Sequence, residues 1–214
     1  MIDDFVRRTA ALNMAIDELL LQTAQVPILR FYRWTEPSVS FGYFGRFEEA
    51  QAFAQERALV RRWTGGGIVP HGGDDLTYSL VIGSVDETFA YSSRMIYRGV
   101  HSAIERVLQL MGVSAMLAEK DAPRSSEACF ANPVAADVIE NGQKIAGAAQ
   151  RRTREGLLHQ GSIQRSELGK TFAGEMARTL SGRVVEEETG SRVLAAADVL
   201  ASQKYATDEW LHRH

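Results

Sequence analysis

The segment RRWTGGGIVPHGG, residues 61–73, constrains this chain more than any other stretch. Three glycines in a row, Gly65, Gly66 and Gly67, are costly inside a helix or a strand, because each gives up more backbone freedom than any other residue. The chain must therefore turn here. Two readings fit. The segment is a tight hairpin with solvated arginines, or it is a cradle whose backbone N–H groups converge on an anion or a carbonyl oxygen. In the second case Arg61, Arg62 and His71 add charge and hydrogen-bonding capacity. The spacing is neither G-x-x-x-x-G-K-[ST] nor G-x-G-x-x-G, so neither a P-loop nor a dinucleotide fingerprint is present.

Around this loop, helical and strand patterns interleave, which predicts a mixed α/β or α+β domain. Residues 10–23 read as a helix, with Leu12, Ile16, Leu19 and Leu20 on one face. Residues 28–33 and 38–42 read as short strands around Pro37, 47–56 as a short helix and 58–62 as strand again. LTYSLVI (76–82) alternates, with Leu76, Tyr78, Leu80 and Ile82 pointing one way. The longest helix is expected over 92–111. Its apolar stripe is Ile96, Val100, Ile104, Val107, Leu108 and Met111, and Gly112 is its C-terminal stop. Residues 113–118 suggest a strand and 119–133 a loop. Three β-like pieces follow, 134–140, 144–152 and 157–163, the first two joined by Asn141-Gly142, a strong hairpin signal. From 166 on the pattern is mostly helical, broken at Gly182 and Gly190.

A length of 214 residues fits one sizeable domain, and 45% hydrophobic with 24% charged residues is the profile of a globular protein. The net charge of −3 gives no basic field for nucleic acid. Trp34, Trp63 and Trp210 lie in unrelated segments, not in a basic, aromatic-interleaved stripe. The single cysteine, Cys129, cannot form an internal disulfide, which points to a reducing compartment. MIDDFVRRTA lacks a signal-peptide pattern, and no stretch reaches the roughly 18 apolar residues of a membrane span. A cytoplasmic, monomeric protein is expected.

Three further features carry chemistry. Lys144 opens a strand of small residues, Ile145 to Ala149, where a ligand or a second backbone can approach closely. It either holds a carboxylate, phosphate or thioester carbonyl as a point charge, or it is a hairpin lysine in water. Cys129, in SSEACFANP, is either a buried inert thiol or a nucleophile that takes an acyl group from a thioester. His71 and His159 can meet across facing hairpins, but ligands for a metal are too few, and His159 reads as a hydrogen-bonding wall residue.

Together these segments resemble the biotin/lipoyl protein ligase superfamily, in its lipoate-protein ligase A and octanoyltransferase branches. The resemblance runs through LNMAIDELLL (12–21), LRFYRWTEPSVSFGYFG (29–45), RRWTGGGIVPHGGDDLTYSLVI (61–82), ACFANPVAADVIENGQKIAGAAQRR (128–152), LLHQGSI (157–163) and YATDEW (205–210). It implies one catalytic domain over 1–214 without an accessory domain: a mixed, largely antiparallel sheet flanked by helices, with an acyl tunnel beside the glycine loop. It further implies that Arg62, Thr64, Gly65, Gly66, Gly67 and His71 line the acyl or acyl-adenylate site. Lys144 would contact the reacting carbonyl, and Gly147, Ala148, His159 and Gly161 would shape the opposite wall. RRWTGGG is not the G-R-G-R-x-G-R-like loop of biotin ligases, which argues against biotin transfer.

Two chemistries share such a scaffold. A transferase takes octanoate or lipoate from the thioester of acyl carrier protein onto a cysteine, with no bound cofactor, and passes it to a lysine of a lipoyl domain or glycine-cleavage carrier protein. A ligase activates free lipoate with ATP and Mg²⁺, sometimes with a separate accessory protein. Cys129 in its A-C-F segment, DDLTYSLVI, and a chain that stops where the catalytic domain stops favour the transferase. The GGG triplet is more ligase-like. Gly45 stands where relatives often carry glutamine, and Pro70 is unusual before His71. An inactive homologue serving as a lipoyl-domain adaptor is the reading from outside enzymology. The retained Arg62, His71, Cys129 and Lys144 argue against it.

Overall fold

A computed structural model describes residues 1–73, 75–121 and 133–213. Among them, a seven-stranded sheet has the order β1-β2-β6-β10-β9-β8-β7, and a three-stranded sheet the order β4-β3-β5. In the large sheet only β1 (Ile2–Arg8) and β2 (Ile28–Trp34) pair in parallel. The remaining pairs are antiparallel, through β6 (Asp75–Gly83), β10 (Gly156–Gln164), β9 (Gln143–Arg152), β8 (Val138–Glu140) and β7 (Ala115–Leu117). In the small sheet β3 (Ser38–Phe41) runs parallel to β4 (Ala58–Arg61) and antiparallel to β5 (Val69–His71). The architecture is the mixed, largely antiparallel sheet with flanking helices that the family resemblance implies.

The large sheet is buried on both faces. On one face α3 (Ser93–Leu110) and α4 (Lys170–Leu180) cover Leu76, Tyr78, Ile82, Leu157 and Ile163. On the other, α1 (Ala10–Thr23) and α5 (Ser191–Leu200) cover Tyr32, Trp34, Val81 and Leu158. The alternation of β6 thus sends Leu76, Tyr78, Leu80 and Ile82 to the α3 side, as its sequence pattern requires. Thr9 caps α1 by accepting from the Leu12 N–H, and Ser92 caps α3 through Met95. α2 (Phe47–Ala54) closes a small core over β3, and α6 (Asp208–Leu211) is the last helix among the described residues. No helix among the described residues is long and apolar enough to cross a membrane.

The structure departs from the sequence pattern at three places. Strand β1 carries no readable alternation, because one of its inward positions is Asp4, which is buried. The piece expected over 134–140 is strand only at 138–140. Before it, Ala136 adopts φ 70° and the Asp137 N–H donates to Val134 O, which makes a turn. Met111, assigned to the apolar stripe of α3, is 46% exposed because the helix has already ended. Gly112, at φ 83°, turns the chain away there.

Candidate active site

The glycine loop is built around the Arg62 side chain. Its Nη1 donates to Ser40 Oγ (2.7 Å) and its Nη2 to the carbonyls of Gly65 (2.9 Å) and Gly67 (2.8 Å), so a buried guanidinium ties both ends of the triplet to β3. Gly66 has φ 86°, which a side chain would strain. A Cβ at Gly42 would strike the Gly65–Gly66 backbone, so that glycine is required by close approach. Thr64 is fully buried and its hydroxyl donates to Gln160 Oε1 (2.8 Å) on β10.

Behind the loop lies a closed polar string. His71 Nδ1 bonds Asp75 Oδ2 (2.7 Å), and His71 Nε2 bonds Ser40 Oγ (2.7 Å). Asp75 also accepts from the hydroxyls of Thr77 and Ser162 and from the Gly72 N–H. Burial pushes the Asp75 carboxyl up, but His71 and these donors outweigh it and hold the group below the usual carboxylate range. Burial dominates at His71 and keeps its pKa below the ordinary value, against the pull of Asp75. A neutral ring donating from Nδ1 to Asp75 and accepting at Nε2 from the Ser40 hydroxyl satisfies every partner. The order Ser40–His71–Asp75 matches that of a hydrolase triad. Here, however, the Arg62 guanidinium is bonded to Ser40 Oγ, so the hydroxyl is locked from both sides and the string fixes structure. Trp34 stacks on the His71 ring at 4.1 Å, and its Nε1 donates to Thr77 Oγ1 (2.8 Å).

Arg62, Gly66 and His71 line one wall of a cleft that opens to solvent, and Gly147, Ala148 and Gly161 line the facing wall. Met14, Tyr32, Trp34 and Val69 supply the apolar surface between them. The polar side chains that reach the cleft already have partners within the protein. Those of Ser40, His71, Thr77 and Ser162 belong to the string. Gln160 receives Thr64 and donates to Asp17 Oδ2 (2.7 Å), and the Tyr32 hydroxyl donates to Asp17 Oδ2 (3.1 Å).

Lys144 stands just outside the lining. Its side chain is 2% exposed and its Nζ pairs with Asp137 Oδ2 at 2.8 Å. It reaches Asp137 by lying across Gly147, where a Cβ would run into Lys144 Cε and Nζ. Gly147, one of the facing-wall residues, is therefore also what lets the lysine reach its carboxylate.

The structure thus brings Arg62, Gly66, His71, Gly147, Ala148 and Gly161 together at one cleft, with Thr64, Gly65, Gly67 and Lys144 one contact away. His159 is placed differently. It is buried on the α3 face, where Gln150 Nε2 donates to its Nδ1 (2.8 Å) and its Nε2 meets the Tyr78 hydroxyl (3.2 Å). It therefore does not meet His71, which sits on the opposite, α1 side of the sheet with Trp34. Cys129 lies outside the described residues. Sequence reasoning did not pick out Trp34, Ser40, Asp75, Asp137 or Gln160. Asp75 had a signal, four residues after His71 and at the head of an apolar strand; the others show only once the chain is folded.

The family model for the lipoyl protein ligase A/B catalytic domain matches residues 9–181. The chain belongs to this family. Among curated relatives of this lipoyl ligase-type domain, it is 41% identical over 163 residues to Octanoyltransferase LipM of Oceanobacillus iheyensis, covering 72% of this chain and 59% of that protein. It is 37% identical over 172 residues to Octanoyltransferase LipM of Carboxydothermus hydrogenoformans, covering 72% and 61%. The chain thus spans about three fifths of the length of the curated relatives it matches. Two solved structures share the fold of the lipoyl ligase domain. A lipoate-protein ligase A bound with ATP has a TM-score of 0.76 at 23% identity, with 99% of both chains covered. The bi-partite lipoate protein ligase of Thermoplasma acidophilum has a TM-score of 0.72 at 23% identity, covering 99% of this chain and 97% of that one.

Proposed function

We propose that this protein is an acyltransferase of lipoate metabolism. An octanoyl or lipoyl group passes from the thioester of acyl carrier protein to Cys129, and from there to a lysine of a lipoyl domain or of the glycine-cleavage carrier protein. The cleft carries this reading. Its polar wall groups are satisfied internally, so what it offers a guest is Met14, Tyr32, Trp34, Val69 and backbone, the surroundings of an alkyl chain. The octanoyltransferase names of the relatives at 41% and 37% identity support the same choice of acyl group.

In the first half-reaction the Cys129 thiolate attacks the thioester carbonyl, and the donor thiol leaves as the tetrahedral intermediate collapses. In the second, the acceptor amine attacks the acyl-cysteine carbonyl, gives up a proton, and Cys129 departs as thiolate. Both intermediates carry an oxyanion. The Lys144 ammonium, held by Asp137 at the end of the Gly147–Ala149 wall, is the group assigned to stabilise it. Arg62, Thr64 and the triplet Gly65–Gly67 shape the acyl site, with His71 as its neutral wall and Ala148 and Gly161 facing them. His159 supports that facing wall from the α3 side.

The test is the intact mass of the protein after incubation with octanoyl-acyl carrier protein in the absence of ATP. A gain of one octanoyl group is expected, chased off by apo lipoyl domain and absent in Cys129→Ser. Absence of the adduct, with lipoylation appearing only when ATP, Mg²⁺ and lipoate are supplied, would make the protein a ligase. Binding of lipoyl domain without turnover under either condition would make it an adaptor.

A further inference from the structure

Helix α3 reaches the site through Tyr97 and His101, one turn apart on the same face. Both grip the turn at 134–137. The Tyr97 hydroxyl donates to Asp137 Oδ1 (2.5 Å), and the His101 Nδ1–H donates to Ala136 O (2.6 Å). The turn is one that needs holding. Ala136 sits at φ 70°, a conformation that costs a residue with a Cβ about 1–2 kcal/mol and persists only where the surroundings over-determine it. Asp137, the next residue, is fully buried and spends its other oxygen on Lys144 Nζ (2.8 Å) and the Val134 N–H (2.7 Å). The Tyr97 oxygen also accepts from the Ala148 N–H (3.3 Å), on the strand that walls the cleft. Burial, reinforced by Asp137, pushes the Tyr97 phenol up, so it stays a donor.

We propose that Tyr97 is a positioning residue for the acyl transfer: its hydroxyl, shared between Asp137 and the Ala148 N–H, aims the carboxylate that places the Lys144 ammonium at the reacting carbonyl. This rests on the oxyanion role given to Lys144 above. Tyr97 touches neither acyl chain nor carbonyl, so its removal weakens the transition state without weakening the ground-state hold on the donor.

The experiment is steady-state transfer from octanoyl-acyl carrier protein to apo lipoyl domain by wild type, Tyr97→Phe, Asp137→Asn, their double variant and Lys144→Ala. Tyr97→Phe is expected to lower kcat about tenfold with KM for the donor unchanged, the scale of losing one hydrogen bond to a charged group. The double variant should be no slower than Asp137→Asn alone, because both changes act through one carboxylate. A wild-type kcat in Tyr97→Phe, a change confined to KM, or losses that multiply in the double variant would overturn the proposal while leaving Lys144 in place. Full activity of Lys144→Ala would remove the role of the lysine and Tyr97 with it. If Tyr97→Phe does not fold, difluorotyrosine at position 97 keeps the contacts and alters only the strength of the donor. An unchanged kcat there would also refute the proposal.

Discussion

At the scale of single residues, the site is surrounded by histidines that burial holds neutral. His71 and His159 are pushed below the ordinary imidazole value, and His101 falls to about 4, chiefly because it is fully buried, against the pull of Ala136 O and Asp137. Between pH 6.5 and about 4 the unfolded chain binds a proton at position 101 that the folded chain refuses. Stability is therefore fully present above pH 6.5 and declines as pH falls toward 4, by about 3 kcal/mol for a shift of this size. His101→Asn keeps a donor near the place of Nδ1 and has nothing to protonate. Its melting temperature should fall less between pH 7 and pH 4.5 than that of wild type, and equal falls in thermal melts would mean that His101 titrates normally. Arg62, His71 and Lys144 were legible in the sequence because each is a polar residue in a glycine-rich or small-residue context where little else is polar. The long-range contacts of the site were not, since Ser40 meets His71 across 31 positions and Thr64 meets Gln160 across 96.

Among elements, β9 shows how a strand can be specified by what it lacks. Its small residues were readable as room for something, but not for what. Part of that room is filled by the chain's own Lys144, which lies over Gly147, and part faces the cleft through Ala148 and Ala149. Two glycine substitutions separate the two kinds of room. In Gly147→Ala the new Cβ meets Lys144 Cε and Nζ and lies 3.2 Å from Asp137 Oδ1, so the lysine is driven off a buried carboxylate that is left without its cation. In Gly42→Ala the Cβ meets the backbone of Gly65 and Gly66, which cannot move without reshaping the loop. Gly147→Ala should thus lose transfer rate and stability together, and a second change, Asp137→Asn, should restore part of the stability by removing the stranded charge, whereas the loss of about 1–3 kcal/mol expected on the overpacking scale for Gly42→Ala should not be relieved by Asp137→Asn. Thermal melts of the single and double variants check this, and a loss in Gly147→Ala that Asp137→Asn does not relieve would contradict it. The hairpin beside β9 was legible to the residue. Asn141 and Gly142 take φ 50° and 78°, the paired positive values their dipeptide announces.

Across the whole molecule, the large sheet and α1 are joined by one buried cation. Arg30, fully buried on β2, pairs with Asp4 of β1 (2.8 Å) and Asp17 of α1 (2.8 Å) and donates to Asn13 Oδ1 (2.8 Å). Asp17 continues the network to Ser79 on β6 and Gln160 on β10, and so to Thr64 in the glycine loop. This explains why the strand and helix patterns could be read locally while their assembly could not. Hydrophobic period assigns a face, but charges that look solvent-bound in the sequence, Asp4, Asp17 and Arg30, carry the long-range registration here. Removing one partner of such a cluster leaves the others buried and uncompensated, at a cost of about 3–5 kcal/mol. Arg30→Met is expected to lower the unfolding free energy by that amount, read as a lower urea midpoint with little change in m-value, a large share of the roughly 5–15 kcal/mol that holds a domain together. Asp17→Asn combined with Arg30→Met removes one of the stranded charges and should be less destabilised than the two single losses summed. Additive losses would instead mean that the two side chains support the fold independently, and that the path from β1 to the glycine loop is contact without coupling.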